Sequence, residues 1–177
     1  MSNVIKGRVW KFGDNIDTDV MAPWTSIGEP WEERRKVILH NRPGFVDQVG
    51  PGDIIVAGEN WGCGSSRENA PANLKELGLG AVIAESFGRI YFRNSIAIAF
   101  PNVACPGVHE AFDEGDELQL DLETAIVKNL TKNTELQGQP YTEEMIQIIT
   151  KGGLMNVLKE KTAVSSSSVE GPGEENG

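Results

Sequence analysis

Apolar and polar positions change their period several times along this chain. Val4 to Phe12 reads as a strand in which Val4, Lys6, Arg8 and Trp10 alternate with Ile5, Gly7, Val9 and Lys11, leaving both faces partly apolar. Gly13 to Asp19 is a polar turn. Residues 20–30 hold two prolines and a glycine and read as a long loop, the kind that commonly serves as a lid or binding loop. Trp31 to Leu39 predicts a short helix, with breaks at Pro43-Gly44 and Pro51-Gly52. From Asp53 the pattern becomes strand, helix, strand, helix: Asp53 to Ala57, residues 67–77, Gly80 to Glu85, and Phe87 to Ala99 with apolar residues at helical spacing. This spacing suits βαβ units with parallel strands. Val103 to Pro106 predicts a third short strand of that unit. Gly115 to Leu122 then alternates polar and apolar, as a half-exposed strand does. Ala125 to Leu130 and Thr134 to Gln137 read as its antiparallel partners. Thr142 is placed to cap a helix from Glu143 to Thr150, and Leu154 to Lys159 adds another turn or two after Gly152-Gly153. The class is α/β, a mostly parallel sheet unit plus an antiparallel C-terminal portion. No internal repeat is visible. From residue 162 the chain is rich in Ser, Gly and Glu, which predicts a disordered tail over 162–177.

The 177 residues suffice for one domain with a sizeable core. No apolar run approaches the roughly 20 residues of a membrane helix, and the N-terminus lacks the apolar stretch of a signal peptide, so a cytoplasmic location without membrane contact is expected. The net charge of −10 argues against nonspecific nucleic-acid binding. It also repels an anionic substrate at long range, so a site for one needs a local positive focus. Two cysteines, Cys63 and Cys105, and two histidines, His40 and His109, form neither a CxxC nor an HxxxH pair. A closed zinc or iron–sulfur site takes about four clustered ligands, so this chain is expected to hold no metal of its own.

The densest chemistry lies in Gly62-Cys63-Gly64-Ser65-Ser66-Arg67-Glu68-Asn69-Ala70-Pro71, between an apolar strand and a helical pattern. Glycines leaving a strand, paired hydroxyls and an arginine at a helix start make an anion site: backbone N–H groups and the helix dipole favour negative charge. Arg67 adds a planar fork that grips a carboxylate or phosphate bidentately. Two helix starts fit. Ser65 caps with Glu68 in a capping box, or Asn69 caps with Pro71 in the first turn. Cys63 could be a reactive thiol, but no base is identifiable beside it; a small residue in a tight loop is the favoured reading.

These residues resemble the Gly-x-Gly-Ser-Ser-Arg-Glu-His-Ala-Pro motif of the aconitase superfamily, and most closely the small subunits of 3-isopropylmalate dehydratase and homoaconitase. The resemblance extends over roughly residues 4–160. It includes Asp14-Asn15-Ile16-Asp17-Thr18-Asp19, Ser86-Phe87-Gly88-Arg89-Ile90, Phe92-Arg93-Asn94, and the segment from Gly115-Asp116 to Gly152-Gly153-Leu154. It implies a single swivelling β/β/α domain over residues 1–161 that closes over a large catalytic subunit, forming a heterodimer. That large subunit carries the 4Fe-4S cluster on its own cysteines. The implied reaction is dehydration and rehydration of a hydroxy acid, as in leucine biosynthesis. By resemblance, Ser65 would be the base that removes the proton next to a carboxylate, and Ser66 and Arg67, with Gly64, would bind substrate carboxylate.

Two departures bear on the substrate. The His that follows Ser-Ser-Arg-Glu in the family is Asn69 here, an amide that cannot change charge. The recognition segment after Pro23 is Trp24-Thr25-Ser26-Ile27-Gly28, with no basic residue before Arg34 and Arg35. Asn69, Trp24 and Thr25 therefore join the candidate substrate contacts. The hydroxy acid is 3-isopropylmalate-like, or alternatively homoaconitate or another alkyl-substituted malate. A noncatalytic module binding a carboxylate or phosphate is the rival from another class. Arg93 and Asn94 could support the site from behind, or Arg93 could simply pair with an acid at the core edge. Asp17 and Asp19 could ligate a cation, although carboxylates in such turns more often cap backbone groups.

Overall fold

The computed structural model describes residues 3–167. Its centre is one seven-stranded mixed sheet in the order β4-β3-β2-β1-β5-β6-β7. The strands are β1 Val4–Lys11, β2 Ile54–Ala57, β3 Ala81–Ala84, β4 Asn102–Ala104, β5 Glu117–Asp121, β6 Ile126–Asn129 and β7 Thr134–Gln137. The helices are α1 Thr18–Met21, α2 Trp31–Arg34, α3 Phe45–Gln48, α4 Asn69–Glu76, α5 Arg89–Ala97, α6 Val108–Ala111, α7 Glu143–Thr150 and α8 Leu154–Ser167.

Every residue of β2 and β3 is fully buried, as parallel strands covered on both faces require. Their side chains alternate between two cores. Ile55, Ala57, Val82 and Ala84 join Trp10, Phe12, Phe45, Trp61 and Leu74 on one face. Ile54, Val56, Ala81 and Ile83 join Val9, Ile96, Phe112, Leu118 and Leu120 on the other. Burying each of the Val, Leu and Ile side chains among them contributes about 1.5–3 kcal/mol. Beyond β5 the sheet is covered on one face only, and the edge strand β7 is largely exposed.

β1 joins the two halves. Val9 to Lys11 pair parallel with Ile54 to Val56, while Val4 to Arg8 pair antiparallel with Asp121 to Glu117. The remaining antiparallel order differs from the sequence expectation, because β7 pairs with β6 rather than with β5. Thr142 caps α7 as expected, accepting from the Met145 N–H at 3.2 Å. The tail expected from residue 162 is helical as far as Ser167, where the hydroxyls of Ser165, Ser166 and Ser167 donate to carbonyls three residues earlier. The rest of that expected tail lies outside the described residues. Residues 20–30 also carry more structure than a plain loop: α1 ends at Met21, whose side chain is fully buried, and a 3-10 turn spans Trp24–Ser26.

One buried polar cluster locks β1 to the start of β2. The Asp53 carboxylate accepts from Trp10 Nε1 at 2.7 Å, the Gly50 N–H at 2.8 Å and Arg8 Nη2 at 3.0 Å. Burial alone would raise this carboxyl; the hydrogen bonds from Trp10, Gly50 and Arg8, with the Arg8 charge, outweigh it and hold the group below its ordinary value. A depressed folded-state pKa gives stability that is fully present above the unfolded value of about 3.9 and is lost as pH falls through the folded value. Asp53→Asn is therefore expected to unfold more readily at pH 7 and to show a shallower loss of stability below pH ~4, measured as denaturant midpoints across pH. Parallel acid limbs for the two proteins would contradict this.

Candidate active site

Three of the four parallel strands, β1, β2 and β3, run out at one end of the sheet, and the segments that follow them stay paired. The β2 extension lies in the middle. On one side the Gly62 N–H donates to Ile16 O at 2.8 Å and the Thr18 N–H to Cys63 O at 2.9 Å. On the other the Trp61 N–H donates to Ser86 O at 3.0 Å and the Gly88 N–H to Trp61 O at 2.8 Å. Thr18 Oγ1 adds a bond to Ser65 O at 2.9 Å. The Trp61–Cys63 segment is thus gripped from both flanks by backbone bonds, and Ser65 is tied on by the Thr18 hydroxyl.

Close approach explains the glycines. Gly62 has φ +77°, and a Cβ there would lie 2.2 Å from Cγ of Tyr91, a buried ring stacked on Phe87 with centroids 6.2 Å apart. A Cβ on Gly88 would lie 2.6 Å from Gly62 O.

Neither expected cap is used at α4. Glu68 occupies the cap position without a side-chain bond, and Asn69 is the first helical residue, exposed to solvent. Ser65 is unavailable as a cap because its hydroxyl is engaged by Arg67: Nε donates to Ser65 Oγ at 3.0 Å. Pro71 falls at the third helical position, where an N–H would have no intrahelical acceptor. Arg67 commits its other nitrogens as well, Nη1 to Ala22 O at 2.7 Å and Nη2 to Asp19 at 2.5 Å. Asp17 caps α1 by accepting from the Val20 N–H at 3.0 Å. No group of three or more potential metal ligands is present among the described residues.

On the side of Ser65 away from α1 opens a cleft of 480 Å³, walled by Cys63, Gly64 and Ser65 on one flank and Arg89, Ile90 and Arg93 on the other. The structure therefore joins Ser65, Gly64 and Arg67 in one loop, with Arg67 behind the serine and the cleft before it. Ser66, Asn69, Trp24 and Thr25 do not line this cleft; all four are exposed, Trp24 at 72%. Asn94 also lies outside its wall. The sequence reading left Arg89 without a role; its one signal was the i, i+4 spacing to Arg93, which puts both on one helix face.

Cys63 is poorly suited to nucleophilic work. Burial, then the negative charge of Asp17, pushes its thiol above the ordinary value, and burial with the Glu85 charge takes Cys105 to about 11. No histidine lines the cleft. Both thiols are protonated at neutral pH.

An α/β domain that presents a serine and an arginine on a glycine loop beyond its parallel strands is a recognisable class, and comparison with known proteins specifies it. Residues 31–101 match the family described as the aconitase C-terminal domain. The isopropylmalate/citramalate isomerase small subunit of Methanocaldococcus jannaschii is 50% identical over 93% of this chain and 99% of its own length. The methanogen homoaconitase small subunit of Methanothermobacter thermautotrophicus is 42% identical over 97% of this chain and 100% of its own. A crystal structure of 3-isopropylmalate dehydratase from Methanocaldococcus jannaschii superposes with a TM-score of 0.86 at 35% identity, covering 93% of this chain and 99% of that one. The chain belongs to the family of 3-isopropylmalate dehydratase and homoaconitase small subunits, which are hydro-lyase components. Membership as a small subunit implies a large-subunit partner. No helix among the described residues is long and apolar enough to cross a membrane.

Because Gly62 combines a left-handed φ with the Tyr91 contact, Gly62→Ala is expected to destabilise the fold by about 2–4 kcal/mol, read as a lowered denaturant midpoint. An unchanged midpoint would show that the loop yields without cost.

Proposed function

We propose that this chain is the small subunit of a hydro-lyase that dehydrates and rehydrates a hydroxy diacid of the 3-isopropylmalate type, with Ser65 as the proton-abstracting base. The observation that carries the reading is the 3.0 Å bond from Arg67 Nε to Ser65 Oγ on a loop fixed by backbone bonds at the mouth of a cleft. A neutral serine is a weak base. As an alkoxide it is strong, and a guanidinium donating to Oγ favours that charged form. Ser65 Oγ takes the proton from the carbon next to a substrate carboxylate, and the oxygen carries that proton until rehydration returns it. Arg67 holds the hydroxyl in place, while its pair with Asp19 offsets part of its charge. The substrate carboxylate contacts assigned to Gly64, Ser66 and Arg67 belong to the same proposal.

The two cysteines of this chain, one part-buried and one buried, do not make a cluster site, so a 4Fe-4S cluster belongs to the large subunit in this reading. Bound there, it supplies Lewis-acid activation of the hydroxyl that leaves. The relatives' names span isopropylmalate, citramalate and homoaconitate, which favours keeping a second substrate in view. With Asn69 in place of histidine and Trp24 and Thr25 in the recognition segment, an alkyl-substituted malate other than 3-isopropylmalate, or homoaconitate, is the alternative. A panel of hydroxy diacids on the reconstituted complex decides between them.

In that complex Ser65→Ala is expected to lower kcat about 10²- to 10⁴-fold without impairing subunit association, while Cys63→Ala retains turnover. Near-normal turnover by Ser65→Ala would remove the base assignment, and loss of turnover in Cys63→Ala would revive a thiol mechanism. Arg67→Lys is expected to reduce kcat and raise KM together, because lysine cannot engage Ser65, Ala22 and a carboxylate from one planar fork. Wild-type kinetics in that variant would show that a point charge suffices.

A further inference from the structure

The sequence holds seven arginines, and five are committed within the chain. Arg8 pairs with Asp53, Arg34 with Glu76, Arg42 with Glu114 and Arg67 with Asp19, while Arg35 donates to Val46 O. Arg89 and Arg93 have no ion pair or hydrogen bond among the described residues. They lie one turn apart on α5, both exposed, and both wall the cleft that Ser65 enters. No acidic side chain lines that cleft. In a chain of net charge −10, two uncompensated guanidiniums in one cleft are a local positive focus. The pocket beside Trp10 shows the contrast: there Arg8 and Arg42 share the wall with Glu114, and both are neutralised.

We propose that Arg89 and Arg93 form a second carboxylate clamp, holding the substrate carboxylate remote from the carbon that Ser65 deprotonates. This rests on the hydro-lyase reading above and adds residues to it. A diacid needs two anion contacts, and the donors of Arg67 are largely spent on Ser65, Ala22 and Asp19. Residues 20–30 contain no basic residue, and Arg34 and Arg35, the next along the chain, are held by Glu76 and by Val46 O. The remaining cations of this face are on α5. Ile90, exposed at 53%, sits between the two arginines on the same wall and offers an alkyl group an apolar contact. The 480 Å³ cleft falls in the range of roughly 300–1,000 Å³ usual for small-molecule sites.

The test uses the reconstituted two-subunit complex, the hydroxy diacid that the panel shows it turns over best, and the half-ester blocked at the remote carboxylate. Arg89→Gln and Arg93→Gln are each expected to raise KM for the diacid about 10- to 100-fold with kcat little changed. On the half-ester they are expected to match the parent, and Arg→Lys at either position recovers part of the loss. Equal weakening on diacid and half-ester overturns the clamp. So does an unchanged KM at saturating large subunit with weakened subunit association, which assigns the arginines to the partner's surface instead. A second measurement is independent of turnover. In the full chain alone, succinate is expected to shift the Nε–Hε NMR signals of Arg89 and Arg93 more than acetate at equal ionic strength, and identical responses overturn the clamp. If Ser65→Ala stays active while these signals and KM values behave as described, the base assignment fails and the clamp stands.

Discussion

The site depends on a paired set of backbone hydrogen bonds, to which the side chains of Thr18 and Arg67 then fasten Ser65. The segments leaving β1, β2 and β3 continue the pairing of their strands, with Gly62 and Cys63 bonded to Ile16 and Thr18 on one flank and Trp61 bonded to Ser86 and Gly88 on the other. Two contacts around these segments are closer than a Cβ would permit, Gly62 against the Tyr91 ring and Gly88 against Gly62 O. Glycine stands at both contacts, and the Tyr91 ring lies directly beneath one of them. The serine is consequently carried by a rigid extension of the sheet, and the precision of its position comes from the core. Sites built on such elements hold geometry better than sites on free loops.

Charge is organised around that rigid point. Arg67 sits behind Ser65 with its charge partly offset by Asp19, and Arg89 and Arg93 stand before it uncompensated. An acidic protein repels small anions at distances within the Debye length of about 8 Å at physiological salt, so attraction is confined to the cleft mouth. The guanidinium behind the serine donates to its hydroxyl, and the guanidiniums in front line the cleft. These are different settings for one side-chain type, separated by which of them has a carboxylate partner among the described residues.

Much of this was legible in the sequence because it is local. β2 and β3 appear as continuous apolar runs because both of their faces are buried, and the six residues Gly-x-Gly-Ser-Ser-Arg mark the loop that leaves β2. What escaped depends on partners far apart in the chain. The cap of α4 was misjudged because Ser65 Oγ answers to Arg67 rather than to the helix. α1 was missed because four residues carry too weak a pattern, and the Asp17 cap and the burial of Met21 stabilise it. Arg89 looked like any helix-start arginine until the fold laid α5 against the β2 extension. The family resemblance fixed the class of chemistry, and only the packing shows which cations are free to take part.

The divided pairing of β1 constrains how the protein is made. Val4 lies opposite Asp121 and Val9 opposite Ile54, so one strand draws its neighbours from the middle and from the late part of the chain. On a ribosome β1 has no antiparallel neighbour until β5 has followed it out. Closing so long a loop costs entropy before any contact rewards it. Until then the half of β1 that will face β5 is an unpaired edge, open to other chains. For a subunit whose partner also has to be synthesised, the vulnerable interval therefore falls before assembly begins, at the joint between its own two half-sheets.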